Sequence, residues 1–266
     1  MSTAGRCNSG TRIAASDLHA SLAAMSWVPH GDVIGTIVGA MELVFIRHGE
    51  PEWVRDGLNV VNPPLTERGQ MQAERVGAEL GGEHFDEIIV SPLLRARQTA
   101  APLLAAQGRA ELVEPFLEEI REPNWHGTPF EMARAAYDED RGRPAEERWG
   151  GLTGGGEPPR DFVERVRSGA ESYWGSRGMR RAKHTLPMWD LEDPDSRVAV
   201  VAHAGTNGVL LCYLLGLDPV PWEWDRFVTQ HASITRLSTM KMRDGYTFAL
   251  NRLSDVEHLP RDARTL

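Results

Sequence analysis

At 266 residues the chain is long enough for one large domain or two small ones, each with an ample core. Hydrophobic residues make up 41% and charged residues 25%, an ordinary soluble composition, and no apolar run approaches the ~18 residues of a membrane span. The 29 basic and 38 acidic residues leave a net charge of −9, which argues against general nucleic-acid binding and requires any anionic ligand to be held by a few local cations.

The first 40 residues stand apart, with only four charged residues: Arg6, Arg12, Asp17 and Asp32. They keep no helical or strand period, and they lack the basic start and directly following apolar core of a secretory signal. Residues 1–40 read as a disordered extension or as a start codon set too early, with an acid-poor targeting arm as the alternative. The two cysteines, Cys7 and Cys212, are too few for a disulfide framework and fit a reducing, cytoplasmic setting.

Residues 41–266 read as a single domain. Leu43 to Ile46 is a short apolar run that ends at Arg47-His48-Gly49, the pattern of a buried strand entering a loop. Thr66 is placed to cap a helix carrying Met71, Val76 and Leu80. Ile88 to Val90 forms a second buried strand, stopped at Ser91-Pro92, and a helix follows through Leu94, Thr99 and Leu103. Residues 120–196 are rich in Trp, Pro, Gly and charge, with an amphipathic helix through Phe162, Val166, Ala170 and Tyr173. This stretch reads as a helical and irregular insertion over the sheet. Val198 to Val201 is a third buried strand, ending at His203, and Gly205-Thr206 opens a helix to Leu215. Tyr246, Phe248 and Leu250 alternate with Thr247, Ala249 and Asn251 as in a more exposed strand. Strands each followed by a helix predict an α/β three-layer sandwich with a mostly parallel central sheet flanked by helices.

In open α/β sheets ligands bind beyond the carboxyl ends of the strands. His48 and His203 both stand at such ends, with Arg47 beside the first and Arg95 soon after the middle strand. Taken singly, each has an ordinary structural explanation. Four together point to a site for an anion.

Arg47-His48-Gly49-Glu50 after a strand resembles the signature of the histidine phosphatase superfamily, the phosphoglycerate-mutase-like proteins. The block from Ser91 through Pro92, Leu94, Arg95 and Thr99 to Ala100 resembles the family's second block, whose first arginine clamps the phosphoryl group. Glu119-Ile120 with Trp125 and Gly127 resembles the block carrying the acidic proton donor, and Val201 to Thr206 the block with the second histidine. The resemblance runs from Met41 to about Leu253. It implies that His48 attacks phosphorus to form a phosphohistidine, that Arg47 and Arg95 hold the phosphoryl oxygens, that His203 stabilises the developing charge, and that Glu119 serves as acid and then base. Gly49 and Ala204 are expected to turn backbone amides towards the phosphate. Glu118 is the competing carboxylate; Glu119 is preferred because it stands eight residues before Gly127. The family commonly has glycine at Pro123, so the loop here is stiffer.

The resemblance implies a metal-independent phosphatase for a small phosphomonoester, with no cofactor and no nucleic-acid or membrane partner; a homodimer is left open. The alternative is a cofactor-dependent phosphoglycerate mutase, less favoured because Val54 stands where those enzymes generally place asparagine. A non-catalytic binding domain is the third reading, and retention of His48, Arg95 and Glu119 argues against it. Gly150 to Gly156 lacks the Gly-Lys-Ser/Thr of a phosphate loop and reads as a hinge. Asp138-Glu139-Asp140 and Glu192-Asp193 read as solvated loops, and Arg97 as a surface charge. Trp53, Trp125, Trp149 and Trp189 either line the substrate mouth or pack within the insertion.

Overall fold

Leu43 and Phe45 point to one face of the first strand and Val44 and Ile46 to the other, and all four are buried. A strand buried on both faces has to lie inside a layered structure with cover on each side. The computed structural model describes residues 40–266, so the expectations for the extension, except at its last residue, fall outside the described residues. In chain order the elements are β1 (Glu42–Arg47), β2 (Val54–Arg55), β3 (Leu58–Asn59), α1 (Glu67–Leu80), β4 (Glu87–Val90), α2 (Leu94–Ala106) and β5 (Leu112–Val113). There follow α3 (Phe130–Arg141), α4 (Pro159–Gly175), β6 (Met179–Arg181), β7 (Trp189–Leu191) and β8 (Arg197–Ala202). The chain closes with α5 (Ala204–Leu215), the short α6 (Glu223–Arg226), β9 (Ile234–Met242) and β10 (Gly245–Asp255).

One sheet takes eight of the strands in the order β5-β4-β8-β1-β9-β10-β7-β6, and β2 and β3 form a separate hairpin. Helices cover both faces. Val76 and Leu80 of α1 and Ala100 and Leu103 of α2 pack on Val44, Ile46, Val90 and Val201. Phe162 and Val166 of α4 and Leu210 of α5 pack on Leu43, Phe45, Val200 and Leu237. Thr66 caps α1 as expected, its Oγ1 accepting from the Gly69 amide at 3.0 Å.

The expectation of a mostly parallel sheet is corrected: the sheet is mixed. β5, β4, β8 and β1 are parallel, but β9 runs antiparallel to β1. β10 returns on β9 across the two residues Arg243 and Asp244, a connection that only antiparallel neighbours allow. β9 left little trace in the pattern because its buried positions include Thr235 and Thr239 beside Ile234 and Leu237.

Residues 120–196 divide between two places. α3 and the chain after it stand at the mouth of the cavity described below, whereas α4 packs in the core, and β6 and β7 extend the sheet edge. The acidic run at 138–140 is also corrected, because it ends α3 rather than lying in a solvated loop. Asp140 is buried and accepts from Arg148 Nε at 2.9 Å. Among the described residues no helix is long and apolar enough to cross a membrane.

Candidate active site

The carboxyl ends of β1, β4 and β8 open onto one edge of the sheet. There β1 delivers Arg47 and then His48, whose amide donates to Ala202 O at 3.0 Å. His48 is 3% exposed, and its Nδ1 lies 2.7 Å from Gly49 O. A carbonyl only accepts, so Nδ1 carries the proton and Nε2 is left bare. Burial, reinforced by the charges of Arg95, by His203 and by the charge of Arg47, holds the imidazole well below its ordinary pKa, so it is neutral at neutral pH.

His203 caps the N-terminus of α5 and is fully buried, its ring centre 5.1 Å from that of His48. Its Nε2 is 2.7 Å from Ser91 Oγ, while Nδ1 has no partner among the described residues. Burial first, then Arg95 and Arg47, holds it too well below its ordinary pKa. Arg95, the second residue of α2, is 4% exposed, with its guanidinium carbon 4.7 Å from the centre of the Trp53 ring. Burial brings both Arg47 and Arg95 down to about 10, partly offset by Glu119, and both keep their charge at neutral pH.

A cavity of about 480 Å³ is lined at its floor by Arg47, His48, Arg95, Glu119 and Ala204. Its outer walls include Trp53, Glu122, Tyr137, Leu152 and Trp224. Glu119 Oε2 accepts from the Gly205 amide at 2.9 Å and Oε1 from the Ile120 amide at 3.0 Å. A Cβ at Gly205 would lie 2.5 Å from Glu119 Oε1, so glycine there lets the carboxylate reach the start of α5. Glu118 instead pairs with Arg121, Oε2 to Nη2 at 2.7 Å.

Gly49 departs from expectation. Its amide donates to Thr99 Oγ1 at 2.9 Å instead of facing the cavity. Its lack of a side chain serves packing, since a Cβ would lie 2.7 Å from Gly69 O in α1. Ala204 does line the cavity at the first turn of α5. Arg97 turns outward and pairs with Glu111. Of the four tryptophans, Trp53 lines the cavity and Trp125 a neighbouring one of about 410 Å³. Trp149 packs against the core, and Trp189 is fully buried within it.

Four residues at or behind this site went unassigned by sequence reasoning. Glu122 lines the cavity and accepts from the Tyr137 hydroxyl. Ser91 stood inside a motif but had no role. His231 lies with its ring centre 5.6 Å from that of His48 and its Nε2 3.2 Å from Arg47 Nη2. No periodic pattern marks His231 or Tyr137.

The family model for the histidine phosphatase superfamily (branch 1) matches residues 43–253. The chain belongs to the histidine phosphatase superfamily. Among the relatives of this chain is phosphoserine phosphatase 1 of Hydrogenobacter thermophilus, 32% identical over 67% of this chain and 78% of that protein. Another is the probable phosphoglycerate mutase GpmB of Photorhabdus laumondii, 27% identical over 66% of this chain and 76% of that one. A solved mycobacterial glucosyl-3-phosphoglycerate phosphatase superposes with a TM-score of 0.62 at 26% identity, covering 82% of this chain and all of that one.

Three neutral buried imidazoles, those of His48, His203 and His231, are expected to make the stability of the chain depend on pH. Burial, together with Arg47 and Arg95, holds His231 down to about 3. An unfolded histidine titrates near ~6.5. Above that pH neither state is protonated and the three contribute nothing. Below it only the unfolded chain takes up protons, so stability falls by up to about 1.4 kcal/mol per pH unit for each histidine. Urea midpoints of the phosphate-free protein are expected to drop steadily between about pH 7 and pH 5; a constant midpoint would mean that the imidazoles protonate freely in the fold.

Proposed function

We propose that the chain is a phosphatase that hydrolyses a small phosphomonoester through a phosphohistidine on His48, with no metal taking part in the chemistry. The observation that carries this reading is a cavity lined by His48, Arg47 and the buried Arg95, with the buried His203 ring centre 5.1 Å from that of His48. A transferring phosphoryl group spreads its charge over three oxygens, and Arg47 and Arg95 offer multi-donor forks to them. The orphan Nδ1 of His203 and the first amides of α5 supply further donors.

In the first half-reaction the lone pair of His48 Nε2 bonds to phosphorus as the bond to the leaving oxygen breaks. Glu119 gives its proton to that oxygen, and the alcohol departs. Water then attacks phosphorus, passes a proton to the Glu119 carboxylate, and the P–N bond breaks. Inorganic phosphate leaves, and both residues regain their starting protonation. Nδ1 keeps its proton and donates it to the Gly49 carbonyl throughout, which keeps the attacking nitrogen correctly turned.

The second reading, a cofactor-dependent phosphoglycerate mutase, draws support from the mutase relatives. Val54 weighs against it: it is exposed on β2 and absent from the cavity wall, so it offers no polar contact to substrate. Incubation of the purified protein with a panel of phosphorylated metabolites is expected to release inorganic phosphate without interconverting 3- and 2-phosphoglycerate. Rapid interconversion with little phosphate would replace the proposal with the mutase. Absence of both, with no acid-labile phosphoenzyme, would remove either enzyme.

A further inference from the structure

The scheme above uses one side of Arg47; the other side rests against the loop that leads into β9. Thr229 O accepts from Arg47 Nη1, and His231 Nε2 stands 3.2 Å from Nη2. The same loop grips the backbone of β1, with the Arg47 amide donating to Ser233 O at 3.2 Å and the Ala232 amide to His48 O at 3.1 Å. Ala232 holds this grip in a left-handed conformation, φ +55°, while fully buried. An alanine adopts that conformation only where its surroundings impose it, and such strain gathers around functional sites.

A guanidinium donates and never accepts, so His231 Nε2 has to be the acceptor. The ring proton therefore sits on Nδ1, 2.9 Å from Thr265 Oγ1. Thr265 is itself fixed: its carbonyl accepts from the His231 amide at 2.9 Å and its hydroxyl from Gln72 Nε2 at 3.1 Å. Gln72 Oε1 in turn accepts from the Glu50 amide at 2.7 Å, which closes the circuit onto the turn after His48.

We infer that His231 is a positioning residue for phosphoryl transfer, a neutral imidazole locked in one tautomer by Thr265 that holds the Arg47 guanidinium ready for the phosphoryl oxygens. The inference rests on reading the cavity as a phosphoryl site. Its chemical logic lies in neutrality. A carboxylate at this place would also accept from Arg47 but would cancel the charge that the substrate needs; an imidazole fixes the fork and leaves its field intact.

The test compares His231→Phe, which fills the space without an acceptor, with His231→Gln, which restores a neutral one. Thr265→Val, which removes the partner of Nδ1, is the third variant. Competitive inhibition by orthovanadate and the kcat and KM for an aryl phosphate are read beside the thermal midpoint. His231→Phe is expected to weaken vanadate inhibition about tenfold or more and His231→Gln by no more than about threefold, with Thr265→Val between them. Vanadate affinity unchanged in His231→Phe would overturn the inference. So would a His231→Gln protein that folds normally yet loses as much affinity as His231→Phe. If His231→Phe does not fold, Thr265→Val against His231→Gln decides, and equal, wild-type affinities in both overturn it. A wild-type protein that neither binds vanadate nor releases phosphate would instead bring down the phosphatase reading itself.

Discussion

Replacing His48 with alanine is expected to slow phosphate release from an aryl phosphate by about 10⁴-fold or more, because it removes the atom that accepts the phosphoryl group in the proposed scheme. The neutral state of His48 makes this loss larger than that of an electrostatic contact. Nε2 is bare, the other nitrogen is tied to Gly49 O, and burial, with two guanidiniums behind it, keeps a second proton away. The variant should remain folded, since the imidazole makes its hydrogen bond to the neighbouring carbonyl and not to a distant element. Stopped assays with the unmodified and the variant protein, matched for purity and thermal midpoint, read the difference. Comparable rates in the two proteins would end the covalent scheme.

The second large effect concerns Glu119 and depends on what leaves. Glu119→Gln keeps the shape and retains an oxygen for the Gly205 amide, but it has no proton to give. Alkyl phosphates, whose alkoxide needs that proton, are expected to react about 10²- to 10⁴-fold more slowly. The nitrophenolate of nitrophenyl phosphate leaves without a proton, so the first half-reaction of that substrate should be spared, and phosphoenzyme should accumulate because the attacking water has lost its base. A burst of nitrophenol followed by a slow steady state is the signature to measure. Equal losses for alkyl and nitrophenyl substrates without a burst would assign the proton to another group, with Glu122, which also lines the cavity, next in line.

How much of this was legible in the sequence follows from how each residue reaches the site. Arg47, His48 and His203 close parallel strands, and a short apolar run that stops at a histidine is visible in a linear pattern. The site edge of a parallel sheet is the edge where strands end, so the inspection of strand ends found them. His231 arrives by the opposite route. β9 is antiparallel to β1, so its beginning, not its end, meets the same edge, and no rule about strand ends looks there. Glu119 has no periodicity of its own; its place depends on the start of α5 some 86 residues onward, and only its motif gave it away. Glu122 and Tyr137 meet across a loop and a helix, a pairing set by tertiary packing alone. The mixed sheet escaped for a related reason: burial alternation along β9 is carried partly by threonines, which a hydrophobicity pattern counts as polar.

The run from Gly150 to Gly156 has a consequence for how substrate preference can change. Gly151, Gly154, Gly155 and Gly156 all adopt positive φ, and Gly151 and Gly155 form part of the cavity wall. Any L side chain placed there would meet backbone strain of about 1–2 kcal/mol per position before it touched a ligand. That stretch of wall is thus nearly closed to redesign by substitution. Divergence in which ligand is accepted falls more readily on cavity residues outside that run, Trp53, Tyr137 and Trp224, and a library randomised at those three positions is the economical place to look for altered selectivity.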